Sequence, residues 1–242
     1  MATTSTETGA TAAPLGLVSR FIGVLTSPKS TYQAIVAHPK WLGMLALTTV
    51  IIATCSALPM TTQAGQQAAL DQQVRGMEGF GMQVSDEMYS QMQKGMSRAP
   101  YTTFLSILII APIMTTILGG ILFGVFTMMG GQATFKQLFT VYVHSGVIGA
   151  VAQLFTGPLN YFRGQVTGAT NLAVALPMID DHSFVGRLLG MIDIFIIWSV
   201  IVLAIGLGVL YRRRTQPIAY TLFGIYAVII LCAAAVMSAF GR

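Results

Sequence analysis

Charge is what this sequence has least of. Only 9% of its 242 residues are Asp, Glu, Lys or Arg, whereas a soluble domain carries about a quarter. So sparse a set cannot clothe a water-facing surface. Cysteine is also scarce: Cys55 and Cys232 are the two in the chain. Both fall within apolar stretches and read as small membrane-embedded residues, so they say little about redox compartment. The motifs of common chemistries are missing as well. There is no phosphate loop, no HExxH zinc helix, no serine nucleophile elbow and no CxxC pair. Gly119-Gly120 follows no strand and is no nucleotide fingerprint. No catalytic residue, cofactor or metal is expected.

Apolar side chains fill the space: 54% of the residues are hydrophobic. Long apolar runs parted by short polar ones imply a lipid bilayer as solvent, where a helix satisfies its own backbone. The expected fold class is therefore all-α, a polytopic bundle of five transmembrane helices. Its spans run from about Trp41 to Leu58, Thr102 to Met129, Gln137 to Tyr161, Val185 to Leu210 and Pro217 to Phe240. Trp41 opens the first at the level an indole prefers. Pro112 is expected to kink the second.

The flanking segments divide the rest. Residues 1–14, rich in Thr, Ala and Gly, read as a disordered tail, since no positive region leads into an apolar core as in a signal peptide. Residues 15–40 read as amphipathic helices at the cytoplasmic face: Leu17, Phe21, Val24 and Leu25 keep helical spacing, then Ser27-Pro28 resembles an N-cap with proline at the first helical position. These helices lie either in the membrane interface or on the protein's own cytoplasmic face. Residues 41–240 form the membrane domain, interrupted by a polar insertion at 60–101. There Leu70, Val74 and Met77 mark one helix. Ser85, followed by Asp86 and Glu87, starts another, whose Val84, Met88, Met92 and Met96 recur every four residues. A helical hairpin outside the membrane is expected, its methionines packing on the sister helix.

Orientation rests on Arg212, Arg213 and Arg214. A triple arginine between two spans suits a cytoplasmic turn better than a nucleic-acid patch. Counting back gives seven Lys/Arg inside against six outside, with six of the eight acidic residues in the outer loops. The N-terminus is then cytoplasmic and the C-terminus extracytoplasmic.

Several segments together resemble one family. Leu25-Thr26-Ser27-Pro28 precedes an amphipathic helix and a tryptophan-led span. Gly130-Gly131-Gln132-Ala133-Thr134-Phe135-Lys136-Gln137-Leu138 leads to Val141-Tyr142-Val143-His144-Ser145. Asp193-Ile194-Phe195-Ile196-Ile197-Trp198 continues to Ala204-Ile205-Gly206-Leu207. Their order and spacing over about 20–240 resemble bacterial Yip-domain integral membrane proteins of an inner membrane. Eukaryotic members of that family bind Rab-type GTPases in vesicle traffic. The resemblance implies a helper or scaffold with an assembly or trafficking role and supplies no catalytic residues.

Polar residues within the spans are the remaining candidates. Asp193 falls about two turns into the fourth span, where a charged carboxylate costs a few kcal/mol. It reads as a strut between helices or, alternatively, as part of an ion or proton path. Gln153 is expected near its level, with Arg163 and Arg187 able to reach toward it from the outer interface. His144 enters from the opposite end, so a direct Asp–His pair is not expected. Asp180-Asp181-His182 reads as a solvated loop rather than a metal site. Gly120 with Gly124, and Gly186 with Gly190, form small-xxx-small pairs that let helices approach closely. These imply a bilayer-embedded bundle that packs on a partner membrane protein or on copies of itself. The alternative function is a small transporter or channel-like protein using Asp193 and His144.

Overall fold

The computed structural model describes residues 15–164, 166, 170–176, 178–180 and 183–240. The tail expected at 1–14 lies outside them, as do Asp181 and His182. Among the described residues the fold is all-helical. In chain order the helices are α1 (Leu17–Thr26), α2 (Pro28–Ala37), α3 (Leu42–Ala57), α4 (Gln63–Gly79), α5 (Asp86–Gly95), α6 (Ala99–Met128), α7 (Phe135–Ser145), α8 (Val147–Arg163), α9 (Leu172–Ala175), α10 (Phe184–Met191), α11 (Ile194–Tyr211) and α12 (Thr215–Phe240). Five segments are long and apolar enough to cross a membrane: Leu42–Thr61, Asp86–Met128, Phe135–Arg163, Ile194–Tyr211 and Thr215–Ala239.

Local chemistry sets the breaks. Gly130 takes a positive φ of 80°, which a glycine tolerates without strain. The next helix then starts with reciprocal capping: Gln137 N–H donates to Thr134 Oγ1 at 3.3 Å, and Thr134 N–H donates to Gln137 Oε1 at 3.0 Å. Two donors that α7 would otherwise leave bare are thus satisfied. Hydroxyls within the spans bond back to their own helix, as Thr48 does to Met44 O at 2.9 Å and Thr116 to Pro112 O at 2.8 Å. That removes a polar group an apolar medium would penalise. α6 continues through Pro112 as one helix of 30 residues.

The hairpin insertion consists of α4 and α5. Thr62 caps α4 by accepting from Gly65 N–H at 3.0 Å, and Ser85 caps α5 by accepting from Met88 N–H at 3.2 Å. The glycines at 76 and 79 lie inside α4; the chain turns at Gly81, with φ 78°. Tyr89 of α5 meets Gln67 of α4 through a 3.0 Å hydrogen bond. Met88 is exposed and Met92 and Met96 are half-buried, so the methionine stripe is only partly covered.

The N-terminal helices are built into the bundle. Val24 and Tyr32 are 0% exposed and join Leu138, Val141 and Leu207 in the core. α2 packs on α7 and α11. Leu15, just before α1, and Val18 and Ile22 on its outer side remain exposed. Pro28 occupies the first turn as expected, but the Ser27 side chain makes no capping bond. Instead the Ser27 carbonyl accepts from Ser30 Oγ at 3.1 Å and Thr31 Oγ1 at 2.9 Å.

Gly206 makes this junction possible. A Cβ there would stand 2.6 Å from Val141 Cγ1 and 2.9 Å from Tyr32 Cε1. Gly157 has the same role for α8, where a Cβ would meet the Cys55 backbone oxygen of α3 at 2.9 Å. The Tyr32 hydroxyl is buried without a hydrogen-bond partner, and burial pushes its phenol far above the usual range.

Two substitutions test the junction. Gly206→Val should overpack it and cost about 1–3 kcal/mol, lowering the unfolding temperature in detergent. Tyr32→Phe removes an unsatisfied hydroxyl while keeping the ring, so stability should hold or rise; a marked loss in the same assay would show that the hydroxyl has a partner.

Candidate functional site

A recess with largely apolar walls lies between α8 and α12, floored by α11, with a volume of about 870 Å³. Helical periodicity supplies its walls. Gln153, Thr156 and Asn160 come round on one face of α8, at intervals of three and four residues. Tyr226, Ile230 and Ala233 do so on α12, and Ser199 and Leu203 on α11.

Asp193 stands at one end of the recess. The helix expected from about Val185 to Leu210 is broken: α10 stops at Met191, residues 192 and 193 are extended, and α11 begins at Ile194. Asp193 is therefore the N-cap of α11 and not a residue two turns within a span. Its Oδ1 accepts from Phe195 N–H at 2.7 Å and Ile196 N–H at 3.4 Å, and its Oδ2 accepts from the Thr170 hydroxyl. A carboxylate at a helix N-terminus also faces the favourable end of the dipole. The segment before α9 pairs across the break, with an isolated bridge between Asn171 and Asp193 and a 2.9 Å bond from Leu172 N–H to Ile192 O.

Asn160 is 6% exposed, and its Oδ1 has no hydrogen-bond partner. Gln153, expected near the level of Asp193, lines the same recess, ten residues before the α8 terminus at Arg163. Its Oε1 accepts from Ser56 Oγ of α3 at 3.4 Å. The Arg187 guanidinium donates to the Met237 carbonyl of α12. The recess thus offers one carboxylate, an unpartnered amide oxygen and several hydroxyls in apolar walls, a set suited to holding a hydrogen-bond donor.

His144 is absent from these walls although its neighbours Tyr142 and Ser145 line them. It is 0% exposed, with Nδ1 2.7 Å from Thr140 O and Nε2 3.4 Å from Arg20 Nη1 of α1. Arg20 Nη1 also donates to Lys40 O at 2.8 Å, while its Nε is buried without a partner. His144 thus bonds within α7 and meets α1, whereas Asp193 bonds the start of α11 and Thr170. Arg20 is a polar residue that sequence reasoning missed: it falls on an amphipathic helix, where a charge ordinarily marks the wet face.

Gly120 and Gly124 face no other helix among the described residues. A Cβ at Gly120, Gly124 or Gly190 would meet nothing within 4 Å; Gly186 is buried. It is Gly119 that receives a neighbour, Phe139 Cδ2 standing 2.7 Å from where its Cβ would be. The reason is angular: Gly120 is one residue, or about 100°, round the helix from the face that meets α7. Arg212, Arg213 and Arg214 are exposed in the turn between α11 and α12. Among the described residues no group of three or more His, Cys, Asp or Glu side chains could hold a metal ion.

The Gly130-to-Gln137 turn, the capped α7 and the Asp193-led α11 all lie within residues 22–237, which the sequence model of the Yip1 domain matches. The chain belongs to the Yip1 domain family. No curated protein and no solved structure matches it. In this Yip1-domain chain the family-like segments have physical roles: Gly130 and Thr134 turn and cap α7, Asp193 caps α11, and Gly206 admits Tyr32.

The cap is testable. Asp193→Ala should cost about 1 kcal/mol through loss of its bonds to the α11 N-terminus, whereas Asp193→Asn, itself a good cap, should stay within a few tenths. Thermal unfolding of the two variants in one detergent compares them. Equal losses would show that the negative charge, not capping, matters.

Proposed function

We propose that this Yip1-domain protein is a non-enzymatic membrane scaffold or accessory subunit that packs against partner membrane proteins. Membership of a family related to membrane trafficking and not known as enzymatic supports the reading. One observation carries it. α6 has an almost uncovered apolar face on which Ile113, Ile117, Ile121 and Met128 are exposed, and Gly120 and Gly124 open a groove in that same face. Small residues of this kind let a second helix approach closely enough for backbone and side chains to pack in lipid. The partner is another membrane protein or a second copy of this chain. The charge distribution supports an inner-membrane protein with its N-terminus and the Arg212–Arg214 turn cytoplasmic, and with the α4–α5 hairpin extracytoplasmic.

A second reading, a small transporter, draws support from the recess beside Asp193 and Asn160. His144 faces Arg20 and adds nothing to that reading. Flux through proteoliposomes that vanishes in Asp193→Asn, with the protein still folded, would favour it over the scaffold.

A photo-crosslinking residue at Ile121 tests the scaffold. It should yield a protein adduct of discrete mass in membranes, and Gly120→Leu with Gly124→Leu should reduce that adduct by about tenfold, the effect of losing roughly 1.4 kcal/mol, without lowering the unfolding temperature. Adducts to lipid alone would overturn the reading.

A further inference from the structure

Charge is unevenly divided between the two ends of the bundle. The described acidic residues are Asp71, Glu78, Asp86, Glu87, Asp180 and Asp193. Four belong to α4 and α5, and the other two stand at positions 180 and 193, on either side of α10. None lies at the opposite end, where α2, the start of α7 and the α11–α12 turn meet. That end carries Lys29, Lys136, Arg212, Arg213 and Arg214. The cations there are not merely scattered over a surface. A recess of about 1130 Å³ is lined by Lys29 and Gln33 of α2, Gln137 of α7, and Arg212, Arg213 and Arg214, with Val36, Ile205 and Val209 as its apolar wall.

Arg212 gives a second, independent sign. It ends α11 in the left-handed conformation, with φ 53° and ψ 38°, and it is the one non-glycine among the described residues with a positive φ. A side chain there carries a steric strain that glycine would avoid. The cap itself needs only backbone groups: Arg213 N–H donates to Gly208 O at 3.0 Å and Arg212 N–H to Val209 O at 3.3 Å. Glycine would end the helix equally well, so the arginine side chain is not explained by the turn.

We propose that this recess binds the phosphate-bearing headgroup of an anionic membrane lipid. Guanidinium groups present paired N–H donors that match phosphate oxygens, and Lys29 adds a further cation from a separate helix. The Gln33 and Gln137 amides supply neutral donors. The wall of Val36, Ile205 and Val209 accommodates the start of an acyl chain, as in basic pockets between helices at a membrane face. A zwitterionic headgroup brings its own ammonium into a site that has no described carboxylate to receive it. Orientation by positive charge alone would require neither the concave arrangement nor the strained Arg212. The inference is independent of the scaffold reading, which concerns the α6 face.

The test uses the full chain in a non-ionic detergent, with lipid retention read by native mass spectrometry. Phosphatidic acid and phosphatidylcholine of identical acyl chains, and inorganic phosphate, are the probes. Phosphatidic acid should be retained about tenfold more tightly than phosphatidylcholine, and raising salt to about 0.5 M should narrow the gap as screening shortens the reach of the charges. Arg212→Gly relieves the left-handed strain, so it should keep or raise the unfolding temperature while weakening phosphatidic acid retention. Lys29→Gln should weaken it too; Lys94→Gln, on the distant hairpin, should not. Equal retention of the two lipids, or retention unchanged in both Arg212→Gly and Lys29→Gln, would overturn the proposal. Inorganic phosphate competing as strongly as the lipid would also overturn it, assigning the recess to a free anion.

Discussion

A missing side chain at Gly206 is the constraint on which most of this architecture depends. Because nothing projects from α11 at that point, Tyr32 of α2 and Val141 of α7 close on its backbone together. Three helices from distant parts of the chain thereby share one core, and α1 is drawn in behind α2. In lipid there is little hydrophobic drive for helices to associate, so close packing of this kind supplies much of the cohesion. Around the junction, Trp41 meets Phe139 edge-on at 5.3 Å and Phe126 stacks on Tyr211 at 5.4 Å. These contacts tie α3 and α6 to the same centre.

Away from the centre, cohesion loosens. α6 and α12 present long apolar faces with few neighbours, while α8 and α12 stand apart far enough to leave the Asp193 recess between them. The break between α10 and α11 leaves backbone groups unpaired by helix, and the Asp193 carboxylate and the Thr170–Leu172 segment satisfy several of them. Non-helical backbone within such a protein persists where side chains or paired segments replace the lost helical bonds. Asp193 thus has a structural role that needs no ion path, and Asn160, with its unpartnered oxygen, is the less explained of the two.

The two ends differ in kind. At the hairpin end, carboxylates and cations are intermixed. At the other, Lys29 and the three arginines gather without a described carboxylate around a concave surface. Helix packing and charge placement meet there, since the α2 that Gly206 admits is also the helix that carries Lys29 to the arginines.

The sequence by itself determined the five segments apolar and long enough to cross a membrane, the all-helical class and the family. Apolar runs of about 20 residues have one solution in a bilayer, and local signals such as Ser85 or Thr134 with Gln137 act within a single turn. Tertiary structure decided what each polar or small residue faces. Gly120 and Gly119 are adjacent in the sequence, yet only Gly119 meets Phe139, because a 100° step on a helix exchanges a packed face for an open one. Gly157 and Gly206 belong to no small-xxx-small pair, so no spacing rule marks them. The partner of His144 was likewise hidden, since Arg20 lies 124 residues away. Asp193 was conspicuous in the sequence, but its depth was not. Hydropathy runs smoothly across residues 185–210, while the helix within it stops and restarts where a carboxylate can cap the new start.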